Sequence, residues 1–227
     1  MTKPLILLHG ALGSAAQLSG LRAILAPDRP VFALNFPGHG GIPSEGPFSV
    51  ASFGESVLDY LDEQQFTQVD VFGYSMGGYV ALWLAWKYPE RVRQVITLGT
   101  KLAWSPETAS GMNRMFDAEK IALKVPHFAQ YLADVHAPLD WKALCRQTAD
   151  FLHQLGEGHG IPQAAYAQIT CPVHIGRGDA DQVVSLEECN EVADLLPNGK
   201  VHVLQGVPHG IEQADVGGIA KYVSGES

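Results

Sequence analysis

The sequence predicts an α/β fold: a mainly parallel sheet of about six strands, flanked by helices, with one helical insertion. Two observations carry this reading. Short apolar runs alternate with longer amphipathic ones, and Pro or Gly stands at many of the junctions. Strands alternating with helical patterns imply βαβ units, whose crossovers make the strands parallel. The rhythm then breaks between about 101 and 168, where aromatics are frequent and no convincing strand occurs. The expected organisation is a core of residues 1–100 and 169–227 carrying a helical insertion at 101–168. A chain of 227 residues suffices for one substantial core.

In chain order, Leu5–Leu8 reads as a buried strand, residues 14–25 as a helix and residues 31–35 as the next strand. Phe36-Pro37-Gly38-His39-Gly40-Gly41 must be a loop, because Pro and Gly interrupt any regular ladder. Residues 50–64 have helical spacing, with Phe53, Val57, Leu58 and Leu61 on one side. A strand at 69–72 precedes a helix over Met76–Lys87, which Pro89 stops. The remaining strands are Val92–Leu98, 173–175 and 201–204, and Leu186–Leu195 and 211–222 read as helices. Within the insertion, 141–155 is the strongest helical patch.

Composition narrows the function. A hydrophobic fraction of 46% against 17% charged residues is that of a globular chain. The formal charge of -9 argues against nucleic acid, whose phosphates need clustered cations. Cys145, Cys171 and Cys189 are scattered with no CxxC spacing, which predicts reduced packing residues in a cytoplasmic protein rather than a disulfide or zinc framework. The first apolar run is too short for a signal peptide or a membrane span, and nothing later reaches spanning length. The histidines at 127, 136, 153 and 159 lack metal-ligand spacing, so no metal site is expected there, and the acyl-transfer chemistry to which the motifs point implies no metal or organic cofactor.

The strongest chemical signal is Gly73-Tyr74-Ser75-Met76-Gly77-Gly78, between a predicted strand and a predicted apolar helix. Glycines two positions either side of a serine permit a very tight strand-to-helix turn that raises the hydroxyl above the sheet. Ser75 is the expected nucleophile. It needs a base and a carboxylate to orient that base. His209 follows the last strand in a loop, and loops after parallel strands gather at the edge where Ser75 sits. In the stretch after the fifth strand, Gly178-Asp179-Ala180-Asp181-Gln182-Val183-Val184 offers two carboxylates at that same edge, and position alone does not separate Asp179 from Asp181. Donors for a developing oxyanion are expected from the amide after the serine, that of Met76, and from the amide of Ala11 in His9-Gly10-Ala11-Leu12-Gly13. His9 itself reads as a brace for this loop rather than a base.

Together these segments, with Pro37-Gly38-His39-Gly40 and Tyr88-Pro89-Glu90-Arg91-Val92, make the sequence resemble the α/β-hydrolase superfamily over nearly its whole length. The resemblance implies the chain order Ser, Asp, His. It assigns the acid to Asp181, which stands two residues before the paired valines of a Gly-x-x-Asp-x-Val-Val pattern. Relatives often carry Asp where Asn35 stands, and many begin with two further strands for which His9 comes too early. The insertion resembles the cap of these enzymes, with Trp104, Phe128, Tyr131 and Trp141 as candidate cavity residues.

The implied activity is serine hydrolysis of a small carboxylic ester, a small-molecule substrate. The same constellation also resembles that of carbon–carbon bond hydrolases, menaquinone-pathway lyases and cofactor-free haloperoxidases. A lyase acting on a polycarboxylate would want cations in the pocket, for which Lys101, Arg114, Lys120, Lys124 and Arg146 are available. A ligand-binding protein on a hydrolase scaffold is the non-enzymatic alternative.

Overall fold

A computed structural model describes residues 3–226. Six strands form one sheet: β1 (Leu5–Leu8), β2 (Val31–Leu34), β3 (Val69–Tyr74), β4 (Val92–Leu98), β5 (Val173–Gly178) and β6 (Gly199–Leu204). All pairings are parallel and the spatial order is β2-β1-β3-β4-β5-β6. The fold class read from the sequence is therefore the observed one. β3 and β5 run past the glycines at which local reading ends them. Gly73 and Tyr74 pair with Thr97 and Leu98, and Arg177 and Gly178 pair with Val203 and Leu204. Ladder bonds to a neighbouring strand offset the entropic cost of a strand glycine.

Both faces are covered, as a parallel sheet requires. Leu5 and Leu7 point to one side, where α1 (Ser19–Leu25) and α10 (Val216–Ser224) pack. Ile6 and Leu8 point to the other, toward α2 (Val50–Glu63), α3 (Met76–Lys87) and α9 (Leu186–Leu195). α3 is buried nearly all round, from Met76 to Ala85, which explains its lack of a polar stripe.

Two predicted helices are each split in the fold. Residues 15–18 form a separate turn before α1, because Leu18 leaves helical geometry at φ -101° and ψ 9°. Residues 211–213 form another turn before α10, whose start is fixed by the Asp215 carboxylate accepting from the N–H groups of Gly217 and Gly218.

Between β4 and β5 the chain forms α4 (Pro106–Asn113), α5 (Ala118–Lys124), α6 (Pro126–His136), α7 (Trp141–Gly156) and α8 (Gln163–Tyr166). Leu132, Leu144, Phe151 and Leu155 of this segment belong to the same buried cluster as α2 and α3. The segment thus shares the core of the sheet.

Candidate active site

The strand order reverses between β1 and β3, and at such a switch point the loops leaving the carboxyl ends of two adjacent strands diverge and leave a crevice. The loop after β1 carries His9 to Gly13; the turn after β3 carries Ser75.

Ser75 has φ 50° and ψ -115°, a left-handed conformation that is strained for a residue with a side chain. Its backbone is held by an N–H donated to Leu98 O at 2.8 Å and by the Thr100 hydroxyl donating to Ser75 O at 3.0 Å. The glycines around it are there for space. A Cβ on Gly77 would lie 2.4 Å from Leu8 O, and one on Gly73 would lie 2.3 Å from Gly78 N. Only glycine lets α3 start this close to β1.

The fold brings the three candidate residues into one chain of contacts. His209 Nε2 lies 3.4 Å from Ser75 Oγ, and His209 Nδ1 lies 2.9 Å from Asp181 Oδ2. The first contact is long, as contacts to a nucleophile often are before substrate binds. The other carboxylate oxygen, Oδ1, accepts from the N–H groups of Val183 at 2.7 Å and Val184 at 3.0 Å. Burial alone would raise the Asp181 pKa; the His209 hydrogen bond and these two N–H groups outweigh it and hold the carboxyl below its ordinary range. The acid is thus ionised and buried, with a free face only toward the imidazole. Asp179, the competing carboxylate, is exposed and accepts from Gly206 N at 2.7 Å. Among the described residues no hydrogen bond or ion pair joins it to His209.

The residues expected to supply the oxyanion donors, Ala11 and Met76, line one cavity with Ser75. The N–H groups of Ala11 and Met76 donate to no acceptor among the described residues. Leu12, next to Ala11, has φ 56°, and Gly13 N donates to Gly10 O at 3.0 Å, so this loop is a tight, strained turn. His9 is fully buried behind it. Its Nε2 accepts from Phe36 N at 3.2 Å and its Nδ1–H donates to Gly10 O at 2.8 Å. Burial first, then the nearby His136, lowers its pKa to about 4 against the Gly10 bond. Both ring nitrogens are taken up by backbone groups and neither hydrogen-bonds to Ser75, which is the bracing arrangement expected for it.

Asn35, where relatives often carry Asp, uses both halves of its amide. Its Oδ1 accepts from Ala15 N at 2.6 Å and its Nδ2 donates to Gly40 O at 3.4 Å. An aspartate has no N–H for the second bond. His136 of α6 completes the scaffold: Nδ1 accepts from Gly40 N at 2.9 Å, and Nε2–H donates to Leu12 O at 3.0 Å.

Above Ser75 lies a cavity of about 640 Å³. Three of the four aromatics proposed from sequence, Trp104, Phe128 and Tyr131, line it. Trp141 does not; it opens α7 and packs against the main apolar cluster. Met112, Phe116 and Phe151 take its place. Among the five cations considered from sequence, Lys101 alone lines the cavity, and its ammonium lies 2.5 Å from Glu188.

Three residues near the site were not singled out by sequence reasoning. Tyr74 donates its hydroxyl to His209 O at 2.8 Å and so fixes the backbone of the loop. Arg177 donates to Asp181 O at 2.9 Å and Val184 O at 3.0 Å, clamping the turn that presents the acid. Glu188 accepts from Leu102 N at 2.9 Å as well as from Lys101. The capping pattern Ser185-x-x-Glu188 was readable as a helix start, but the reach to Lys101 was not. Among the described residues no group of three or more His, Cys, Asp and Glu is arranged to hold a metal ion, and no helix is long and apolar enough to cross a membrane.

A family model described as alpha/beta hydrolase fold matches residues 3–211. The chain belongs to the alpha/beta hydrolase fold family. A pimeloyl-(acyl-carrier protein) methyl ester esterase of Neisseria meningitidis serogroup C is 34% identical to it over 93 residues, covering 41% of this chain and 35% of that protein. The chain thus spans about a third of that relative's length. A 2-hydroxymuconate semialdehyde hydrolase of Pseudomonas putida is 27% identical over 241 residues, covering 91% of this chain and 80% of that protein. Among solved structures, a thermophilic esterase from Thermogutta terrifontis superposes with a TM-score of 0.80 at 18% identity, covering 100% of this chain and 89% of that one. At that identity the likeness of this alpha/beta hydrolase to the esterase is one of fold.

Proposed function

We propose that this alpha/beta hydrolase is a serine esterase acting on small carboxylic esters, with Ser75, His209 and Asp181 as its triad. The single observation that carries the reading is the contact chain Ser75–His209–Asp181 beneath an apolar cavity, with two uncommitted amides beside the serine.

In the proposed reaction the Ser75 hydroxyl attacks the ester carbonyl carbon while His209 Nε2 takes its proton. The Asp181 carboxylate holds the imidazole with Nε2 free and stabilises the imidazolium that forms. The N–H groups of Ala11 and Met76 receive the oxyanion, each worth roughly 2.7–4 kcal/mol in such sites. Collapse of the tetrahedral adduct breaks the bond to the alkoxy oxygen, which leaves as an alcohol with the Nε2 proton. Water then attacks the acyl-serine, again through His209, and the carboxylic acid departs. We propose further that segment 101–168 serves as the cap, since Trp104, Phe128, Tyr131 and Phe151 wall the cavity from that side and would exclude water.

Carbon–carbon bond hydrolysis is the second reading, favoured by the similarity to the semialdehyde hydrolase over 91% of this chain. A polycarboxylate lyase is disfavoured, because the cation that lines the cavity is already paired with Glu188.

A fluorophosphonate probe should label the protein and leave Ser75→Ala unlabelled. That variant should lose ester turnover by roughly ten-thousand-fold or more. A panel of p-nitrophenyl esters of graded chain length, run beside a vinylogous diketone, separates the two readings. Inertness toward every ester with turnover of the diketone would transfer the protein to the second.

A further inference from the structure

We propose that Glu212 sets the charge preference of this site, so that esters bearing a cation are favoured and esters bearing a second carboxylate are rejected. This deepens the esterase reading and rests on it.

The charges around the cavity are few. Apart from His209, its lining contains one cation, Lys101, and one carboxylate, Glu212. Lys101 is unavailable to a substrate anion. Its ammonium sits against Glu188, both side chains are largely withdrawn from water, and Glu188 is fixed by the N–H of Leu102 and the hydroxyl of Ser185. Extracting the lysine would leave a buried carboxylate without its counter-charge, which is costly. The pair therefore contributes no net charge.

Glu212 stands differently. It occupies the turn three residues beyond His209 and is exposed at the rim of the cavity. Its side-chain partner among the described residues is the amide of Gln17, a neutral donor. That contact fixes where the carboxylate points without cancelling its charge. Gln17 in turn accepts from Gly10 N at 3.3 Å, so the carboxylate is anchored to the loop that carries Ala11. Its field reaches rings on both sides of the rim: after burial, the Glu212 charge is the next influence raising the pKa values of Tyr74 and of Tyr131. At the same rim Phe128 and Tyr131 stack with centroids 6.1 Å apart and remain partly exposed. Their π faces attract cations and offer nothing to an anion. The chain's formal charge of -9 adds a long-range repulsion of the same sign. Neutral, apolar acyl groups face no such barrier.

The test uses three p-nitrophenyl esters with the same trimethylene acyl spacer, ending in trimethylammonium, tert-butyl or carboxylate. These ends differ chiefly in charge. For the wild-type protein kcat/KM should fall in that order. Glu212→Gln should shrink the cation-to-anion ratio of kcat/KM by about tenfold, the scale of one nearby rim charge. Glu212→Asp should keep most of the ratio, and Glu212→Lys should invert it. Raising the salt concentration should shrink the wild-type ratio more than that of Glu212→Gln. The tert-butyl ester and a melting curve report whether each variant is folded and competent. A cation-to-anion ratio that agrees within about twofold between wild type and both Glu212→Gln and Glu212→Lys would overturn the proposal. So would a wild-type preference for the carboxylate ester. Turnover of none of the three esters overturns the esterase reading and this proposal with it, whereas turnover without charge dependence overturns this proposal alone.

Discussion

Two aspartates are buried at opposite ends of the sheet, and they are held in opposite ways. Asp70 lies near the start of β3, wholly buried, and its Oδ2 receives both Arg29 and Arg93. Asp181 lies beyond the end of β5, 3% exposed, and is held by two backbone N–H groups and one imidazole. At the first site two full positive charges neutralise the carboxylate. At the second a hydrogen bond from His209 and the dipoles of two amides keep it ionised without neutralising it. A neutralised carboxylate can only hold structure together. An ionised carboxylate that lacks a cation can stabilise one that forms later, here an imidazolium on His209. The difference teaches that burial of a charge does not identify a candidate catalytic acid; the absence of a permanent counter-ion does.

The comparison breaks most sharply at Asp181. Asp181→Asn keeps the shape but can donate to His209 Nδ1, which favours the tautomer with its proton on Nε2. Ester turnover should fall about ten-thousand-fold, while the melting temperature stays close to that of the wild type. Steady-state kinetics beside thermal melting check both halves. Asp70→Asn should do the reverse. It leaves Arg29 and Arg93 without their anion, at a cost of roughly 1–3 kcal/mol, below the figure for a fully buried pair because Arg93 is nearly half exposed and can turn to water. The melting temperature should fall by roughly 3–10 °C with kcat preserved. A loss of kcat in Asp70→Asn comparable to that in Asp181→Asn would refute the distinction.

The sequence made one side of this comparison legible. Ser75 lies in a motif whose glycines are demanded by backbone crowding within a few residues, so spacing alone reveals it. Asp181 and His209 each follow a strand in the loop where parallel topology gathers side chains. The strand count follows from short apolar runs, because strands buried on both faces are apolar throughout, and the insertion follows from the break in their alternation with helices. What could not be read is whatever depends on a partner far along the chain. Gln17 and Glu212 meet across 195 positions, Lys101 and Glu188 across 87, and His136 and Leu12 across 124. No local pattern encodes those meetings. Asp70 was missed for a related reason: a lone acid inside an apolar strand becomes interpretable only when the two arginines are seen beside it.

A third region sharpens the comparison through pH. Behind the loop proposed to supply an oxyanion donor His9, His39 and His136 pack together, with ring centroids 5.0 Å apart for the first two and 5.9 Å for the second two. Burial is the main cause that lowers all three pKa values, that of His9 to about 4 and that of His39 well below 6.5. Because these folded-state values lie below the unfolded one, the unfolded chain binds protons first as pH drops. The stability they confer is complete above about pH 6.5 and is lost progressively toward about pH 4. For His9 the loss is on the order of 3 kcal/mol over that window. Asp181, held below its ordinary range, stays ionised through most of it. Acid lability should therefore arise at the histidines and not at the acid. Melting temperature measured across the window should fall steadily below about pH 6.5, and Asp181→Asn should follow the same curve.

The smallest expected effect tests the closest competitor for the acid. Asp179 stands two residues before Asp181 and matches it in chemistry, yet its Oδ1 is bound to Gly206 N in the turn after β6. Asn at position 179 retains that oxygen as an acceptor. Glu and Ala differ in reach and in bonding, so Asn is the substitution that removes the charge and little else. If the carboxylate at 179 only pins a turn, Asp179→Asn should change ester turnover by no more than about twofold. Asp179→Ala, which drops the bond to Gly206 N, should cost about 1 kcal/mol of stability, with kcat again nearly unchanged. An exposed residue whose charge proved necessary for turnover would contradict the principle drawn from Asp70 and Asp181. A counter-ion-free carboxylate matters to the imidazole only when it is buried against it, where water cannot screen the field between them.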